Sequence, residues 1–115
     1  MIKILKTKIH RATISEANLD YEGSITLPLE LLEASGIKEY EAVAVWDITN
    51  GARFETYVIE EDAGSGAIGL YGAAAHLGKA GDIVIILSYA LMEEPEAKGL
   101  KVKTVRVNKK NKLLK

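Results

Sequence analysis

Cysteine is absent from the 115 residues, which excludes disulfides, thiolate catalysis and cysteine-ligated metals. Histidine occurs only at His10 and His76, and two histidines without a supporting ligand pattern make a weak metal site. No metal is expected. No apolar run is long enough to span a membrane, and the chain opens with Ile2 and Ile4 alternating with charge rather than with a signal peptide. A cytoplasmic protein with no membrane partner is the expectation. The formal net charge of −1 hides an asymmetry. Residues 1–97 carry 7 basic and 16 acidic side chains, whereas residues 98–115 carry 8 basic side chains and no acidic one. That basic C-terminal tail holds no aromatic residue to stack on bases, and the acidic body repels phosphate. Leu100, Val102, Val105 and Val107 interleave with its charges as in an edge strand. A solvated or subunit-contacting tail is therefore expected, and no nucleic-acid partner.

What is present reads as one domain, residues 1–115, with enough apolar content to bury about two-thirds of its unfolded surface. Short strands dominate. Residues 2–14 form an extended strand, and 42–46 and 54–59 flank Asn50-Gly51, a hairpin turn signal. Pro28, Glu30, Glu33 and Gly36 delimit a short helix over 28–35. A short strand follows over 67–71, and Ile83–Leu87 is a continuous apolar run expected to be buried on both faces. Many short strands with one or two short helices imply a mainly β chain folded as a small closed barrel, which removes exposed sheet edges.

Tyr21-Glu22-Gly23-Ser24 carries the chemistry of most interest. Ser24 places a hydroxyl beside the Gly23 carbonyl, and glycine reaches dihedrals that other residues resist. Attack of Ser24 Oγ on that carbonyl carbon would turn the amide into an ester. β-Elimination would leave a dehydroalanine, which hydrolyses to a pyruvoyl group at position 24. Gly-Ser is also an ordinary loop dipeptide, and a second copy stands at Gly64-Ser65.

The surrounding blocks sharpen the choice. Lys8-Ile9-His10-Arg11, Asn18 through Ser24, Trp46 through Gly51, Arg53-Phe54, Thr56-Tyr57, Gly72 through His76 and Gly81 through Ile85 occur in one order. That order and spacing resemble the pyruvoyl-dependent aspartate 1-decarboxylases over roughly the first ninety residues. The resemblance implies a double-psi β-barrel assembled as a homotetramer and cleaved between Gly23 and Ser24. It also implies conversion of L-aspartate to β-alanine and carbon dioxide through an imine, for pantothenate synthesis. The cofactor would be a covalent pyruvoyl group made from Ser24, with no external cofactor. Such a carbonyl plays the electron-sink role that pyridoxal phosphate plays elsewhere.

Residue roles follow from that chemistry. Arg53, with its planar fork, is the expected carboxylate clamp, and Tyr57 the proton donor. Two-residue periodicity sets Arg53, Glu55 and Tyr57 on one strand face, so Arg53 and Tyr57 are expected to address one cavity. The family pattern suggests that Thr56 stabilises the oxyanion at Gly23. Thr56 belongs to the opposite face of a regular strand, which requires either a bulge or service to an adjacent subunit. Gly72, Ala73 and Ala74 are expected to leave room for substrate while offering backbone N–H groups. Trp46 is expected to pack at the pocket wall, and Tyr21 to shape the cleavage turn. Lys8 reads equally as a second cation near substrate or as an exposed strand lysine. His10 reads as a general base or as a structural histidine. Tyr71 stands where the family has asparagine, so the contact of that amide is made by the Tyr71 hydroxyl, made by water, or lost. Two competing functions remain: a non-enzymatic small barrel that uses its basic tail to bind nucleic acid or a partner protein, and a pyruvoyl decarboxylase for another acidic amino acid.

Overall fold

The opening strand organises the barrel. In the computed structural model, which describes residues 1–114, β1 (Ile2–Thr13) runs antiparallel to β7 (Ile83–Met92) and parallel to β8 (Lys103–Arg106). After Ile14 and Ser15 the same chain continues as β2 (Glu16–Asn18), parallel to β6 (Gly69–Tyr71). β3 (Ser24–Pro28), β5 (Arg53–Glu61) and β4 (Ala42–Asp47) complete the eight-stranded order β2-β6-β3-β5-β4-β7-β1-β8. β2 stands at one end of that order and β1 next to the other, yet only two residues separate them. The sheet must therefore curl until one bent strand serves both ends. Backbone hydrogen bonds seal this corner: Ile14 N–H to Asp82 O (2.8 Å), Gly81 N–H to Ile14 O (2.7 Å) and Ser15 N–H to Ile68 O (2.8 Å). This mainly β arrangement agrees with the expected barrel, and its helices are short: α1 (Leu29–Ser35), α2 (Glu94–Ala97) and a 3-10 turn over Gly72–His76.

Local chemistry explains the elements. Pro28 precedes α1 with φ −58°, and Gly36 ends it at φ +77°, donating its N–H to Leu32 O at 2.8 Å. Asp47 Oδ1 accepts from the N–H groups of Thr49 (2.8 Å) and Asn50 (3.0 Å), folding the β4–β5 turn. The Asn50 side chain then donates to Leu77 O at 2.9 Å, tying that turn to the segment after Ala74. Ile9, Ile25, Leu27, Val45, Val58, Leu70 and Ile86 fill the core and are fully buried. β7 departs from expectation. Val84 and Ile86 are buried, but Ile83 and Ile85 are only half-buried, because one face of β7 meets the core and the other opens on a surface cavity beside Trp46.

The basic segment is not a free tail over its described length. β8 forms the edge of the sheet as expected, but Val105 and Val107 turn into the core. Beyond it Asn111 is buried with φ +61°, a conformation asparagine tolerates better than most residues. Its Oδ1 accepts from Thr13 N–H (2.8 Å), and its amide donates to Thr13 O (2.8 Å) and Gly66 O (2.9 Å). Lys115, the last basic residue, lies outside the described residues. Asn111→Ala leaves these backbone groups unpaired and is expected to cost about 2–3 kcal/mol. Urea unfolding measures this, and a loss below about 0.5 kcal/mol, the scale of an ordinary surface substitution, would contradict it.

Candidate active site at the Gly23–Ser24 link

Ser24 is the first residue of β3, at the point where an exposed loop enters the barrel. Tyr21 and Glu22 are exposed, Gly23 is half-buried and Ser24 is buried. The ladder pairs Ser24 with Tyr71 and Ile25 with Leu70 on one side, and Ile25 with Val58 on the other. Gly72, at φ +63°, lies against the link so closely that a Cβ there would stand 2.6 Å from both Gly23 Cα and Gly23 N, and 2.9 Å from Tyr21 O. Only glycine permits this approach. Gly64-Ser65 is different: it lies in an exposed turn where Gly64 N–H bonds the Glu30 carboxylate at 2.8 Å.

A cavity of about 330 Å³ opens beside Gly23, walled by Phe54, Thr56, Tyr57, Ala73, Ala74 and Leu77, with Glu55 at its edge. The β3–β5 register, continued two residues from Ile25 and Val58, sets Gly23 beside Thr56 and Ser24 beside Tyr57. The β4–β5 ladder runs without a slip from Ala42 opposite Tyr57 to Trp46 opposite Arg53. Thr56 therefore needs no bulge, and it lines the cavity of its own chain's Gly23. Tyr57 is 40% exposed, with the Tyr40 ring centroid 6.5 Å away.

Arg53 is elsewhere. Its guanidinium carbon lies 4.1 Å from the centre of the Trp46 ring, a cation–π contact, in a separate cavity of about 290 Å³ formed with Ile48, Ala52 and Ile85. Four residue steps along the strand separate it from Tyr57, about 13 Å. Within one chain the two side chains share a strand face but not a cavity. Lys8 and His10 lie on β1 opposite Thr104 and Arg106 of β8, and neither lines the Gly23 cavity. Burial, then the charges of Lys8, Arg106 and Arg11, hold the His10 imidazole below its usual pKa, and its Nδ1 is buried without a partner. His76 is exposed, and no group of three potential metal ligands occurs among the described residues. The Tyr71 hydroxyl donates to Glu16 Oε2 at 2.9 Å, which commits it to β2 rather than to the Gly23 carbonyl. Burial, with Glu16 next, pushes that phenol up to about 12.

The family model for aspartate decarboxylase matches residues 1–114. The chain belongs to the aspartate decarboxylase family. It is 52% identical over 112 residues to the aspartate 1-decarboxylase of Stenotrophomonas maltophilia strain K279a, covering 97% of this chain and 89% of that one. Identity is 52% over 111 residues with the Myxococcus xanthus strain DK1622 aspartate 1-decarboxylase, covering 96% and 85%. The enzyme of that name from Acetivibrio thermocellus is 54% identical over 113 residues, covering 98% and 90%.

This aspartate decarboxylase family member also holds a buried carboxyl pair that sequence reasoning missed. Asp47 and Asp82 are both buried, and both Oδ2 atoms face Gly78. An aspartate before Asn-Gly signals a turn, but nothing local signals a partner thirty-five residues away. Burial, followed by the neighbouring Asp82 carboxyl, pushes the Asp47 carboxyl up to about 6, opposed by the N–H groups of Asn50 and Thr49, and Asp47 Oδ2 is buried without a hydrogen-bond partner. The folded-state value exceeds the unfolded one, so ionising Asp47 costs stability progressively as pH rises from about 4 through 6. Glu41 is shifted the other way, chiefly by the Ser88 hydroxyl acting against burial, so its stabilising effect is lost only below the ordinary carboxylate range. Between pH 5 and 7.5 Asp47 is expected to make the fold less stable as pH rises. Asp47→Asn, which keeps the turn acceptor, should flatten that slope. Unfolding curves at both pH values test this, and an unchanged slope would contradict it.

Proposed function

We propose that this chain is an aspartate 1-decarboxylase that cuts its own backbone between Gly23 and Ser24 and carries a pyruvoyl group at position 24. The membership of the family supports the reaction. The observation that carries the self-processing reading is the seating of the link: a buried serine at the start of the strand, Gly72 pressed on the glycine side, and Thr56 lining the adjoining cavity. Ser24 Oγ is the nucleophile toward the Gly23 carbonyl, and the Thr56 hydroxyl stabilises the oxygen as charge develops there, a role supported by Thr56 lining the same cavity as Gly23. The cradle fits the group that results, since Gly72 and Ala73 keep side-chain bulk away from it.

The pyruvoyl carbonyl supplies an electron sink for the carbon that loses carbon dioxide. The chain's own side chains do the rest. Tyr57, at the cavity wall, holds the proton that the product carbon requires. Phe54 and Leu77 give the cavity an apolar wall that limits water, while Ala73 and Ala74 leave space for a small dicarboxylic amino acid. Arg53 is the carboxylate clamp, and its separation from Tyr57 within one chain means that a second copy must bring its Arg53 to the Gly23 cavity. A homo-oligomer follows, a tetramer by resemblance. Exposed Tyr21, Tyr40, Tyr57 and Leu77 supply apolar surface for such contact. Lys8 and Trp46 would arrive with Arg53, with His10 supporting them. The β-alanine product fits a role in pantothenate synthesis, and a cytoplasmic location is proposed on the reaction alone.

Two variants test this reading in an assay for β-alanine from L-aspartate. Ser24→Ala removes the attacking hydroxyl and is expected to stay full length and inactive; measurable turnover by it would overturn the self-made cofactor. Tyr57→Phe keeps the ring but loses the phenolic proton. Fully cleaved Tyr57→Phe is expected to turn over about 10²–10⁴-fold more slowly. Wild-type turnover in that preparation would remove Tyr57 as proton source.

A further inference from the structure

Tyr71 has no part in the chemistry above, yet three close contacts converge on its side chain. Its hydroxyl donates to Glu16 Oε2 at 2.9 Å. Its ring lies on Gly69 so tightly that a Cβ there would stand 2.5 Å from both Tyr71 Cζ and Oη. Its third neighbour is the Tyr21 ring, with centroids 5.5 Å apart and planes inclined at 48°, a favourable aromatic geometry. Glycine inside a strand normally weakens it, and an aromatic ring laid over that glycine restores lost packing. β6 is only three residues long, so this contact matters to its position.

The backbone on either side of that ring is the backbone of the cleavage site. Tyr71 stands opposite Ser24 in the β3–β6 ladder, and the next residue is Gly72, which abuts Gly23. The carbonyl of Tyr21 also meets Gly72, so the ring-to-ring contact and the backbone contact hold the same two segments together. We propose that Tyr71 is a positioning residue for self-cleavage: bonded to Glu16 and seated on Gly69, it braces residues 71–72 and the Tyr21 loop so that the Gly23–Ser24 link is held against Gly72.

This rests on the reading that the chain divides at Gly23–Ser24. The step served is the acyl shift, in which the Ser24 Oγ–Gly23 carbon bond forms, the Gly23 carbon–Ser24 nitrogen bond breaks, and that nitrogen takes the hydroxyl proton. No other reactant enters. With the phenol held protonated by its surroundings, the bond to Glu16 persists across the neutral and mildly alkaline range.

The test follows cleavage of freshly synthesised chains over time on denaturing gels, for wild type, Tyr71→Phe, Glu16→Ala, the double variant and Glu16→Gln. Tyr71→Phe keeps the ring over Gly69 and removes only the donor. It and Glu16→Ala are each expected to cleave about tenfold more slowly, equivalent to about 1.4 kcal/mol of barrier, within the range of a hydrogen bond to a charged group. The double variant should be no slower than either single one, because both lose the same bond. Glu16→Gln keeps an acceptor oxygen and should recover most of the rate. Turnover per cleaved chain should fall by less than the cleavage rate does. Cleavage of Tyr71→Phe at the wild-type rate, additive slowing in the double variant, or an equal fall in cleavage and turnover would each overturn the brace. If Tyr71→Phe fails to fold, Glu16→Ala and its glutamine rescue decide alone. A wild-type chain that never divides would overturn the self-cleavage reading and the brace with it.

Discussion

The close approach of Gly72 to the Gly23 backbone is the contact on which the rest of the site depends. A Cβ at position 72 would stand 2.6 Å from Gly23 Cα, nearer than real Cβ atoms come to backbone, so the two segments meet only because residue 72 is glycine. That meeting places the buried Ser24 at the mouth of β3, with Thr56 and Tyr57 at the wall of the adjoining cavity. Moving Gly72 outward would return the link to an ordinary exposed loop, as at Gly64-Ser65, where a Gly-Ser pair has no such neighbours.

Barrel closure holds that contact in place. β2 and β6 pair at one end of the strand order, while β1, continuous with β2 through Ile14 and Ser15, pairs with β7 and β8 near the other. Asn111 pins this corner by bonding Thr13 and Gly66, so the basic C-terminal segment contributes to closure even though no proposed catalytic side chain lies in it. The carboxyl pair Asp47–Asp82 links the same corner, where Asp82 O accepts from Ile14 N–H, to the β4–β5 turn, where Asn50 bonds Leu77 next to the cavity. Stability and site geometry therefore share the same joints.

Much of this was legible in the sequence where the signal is local. Pro28 and Gly36 bracket α1 within one residue, and Asn50-Gly51 turns β4 into β5 because both rest on backbone chemistry within a few positions. The ordered blocks around Ser24 marked the family. Long-range geometry was not legible. Alternation placed Arg53 and Tyr57 on one face but carried no information about how far along the strand a cavity extends, and the two line different cavities. The same alternation suggested a bulge or a neighbouring subunit for Thr56, and nothing in it signalled that Thr56 lines a cavity with its own chain's Gly23. Position 71 was open among three readings until its hydroxyl was found on Glu16, fifty-five residues away.

The central claim is that the barrel seats one peptide link for division and leaves the other Gly-Ser pair alone. The intact mass of the wild-type chain under denaturing conditions, followed during prolonged warming, tests this most directly. The account predicts a fragment ending at Gly23 and a second beginning at position 24 with the mass of a pyruvoyl terminus in place of serine. A chain that remains whole, or one that divides at Gly64-Ser65, would contradict it.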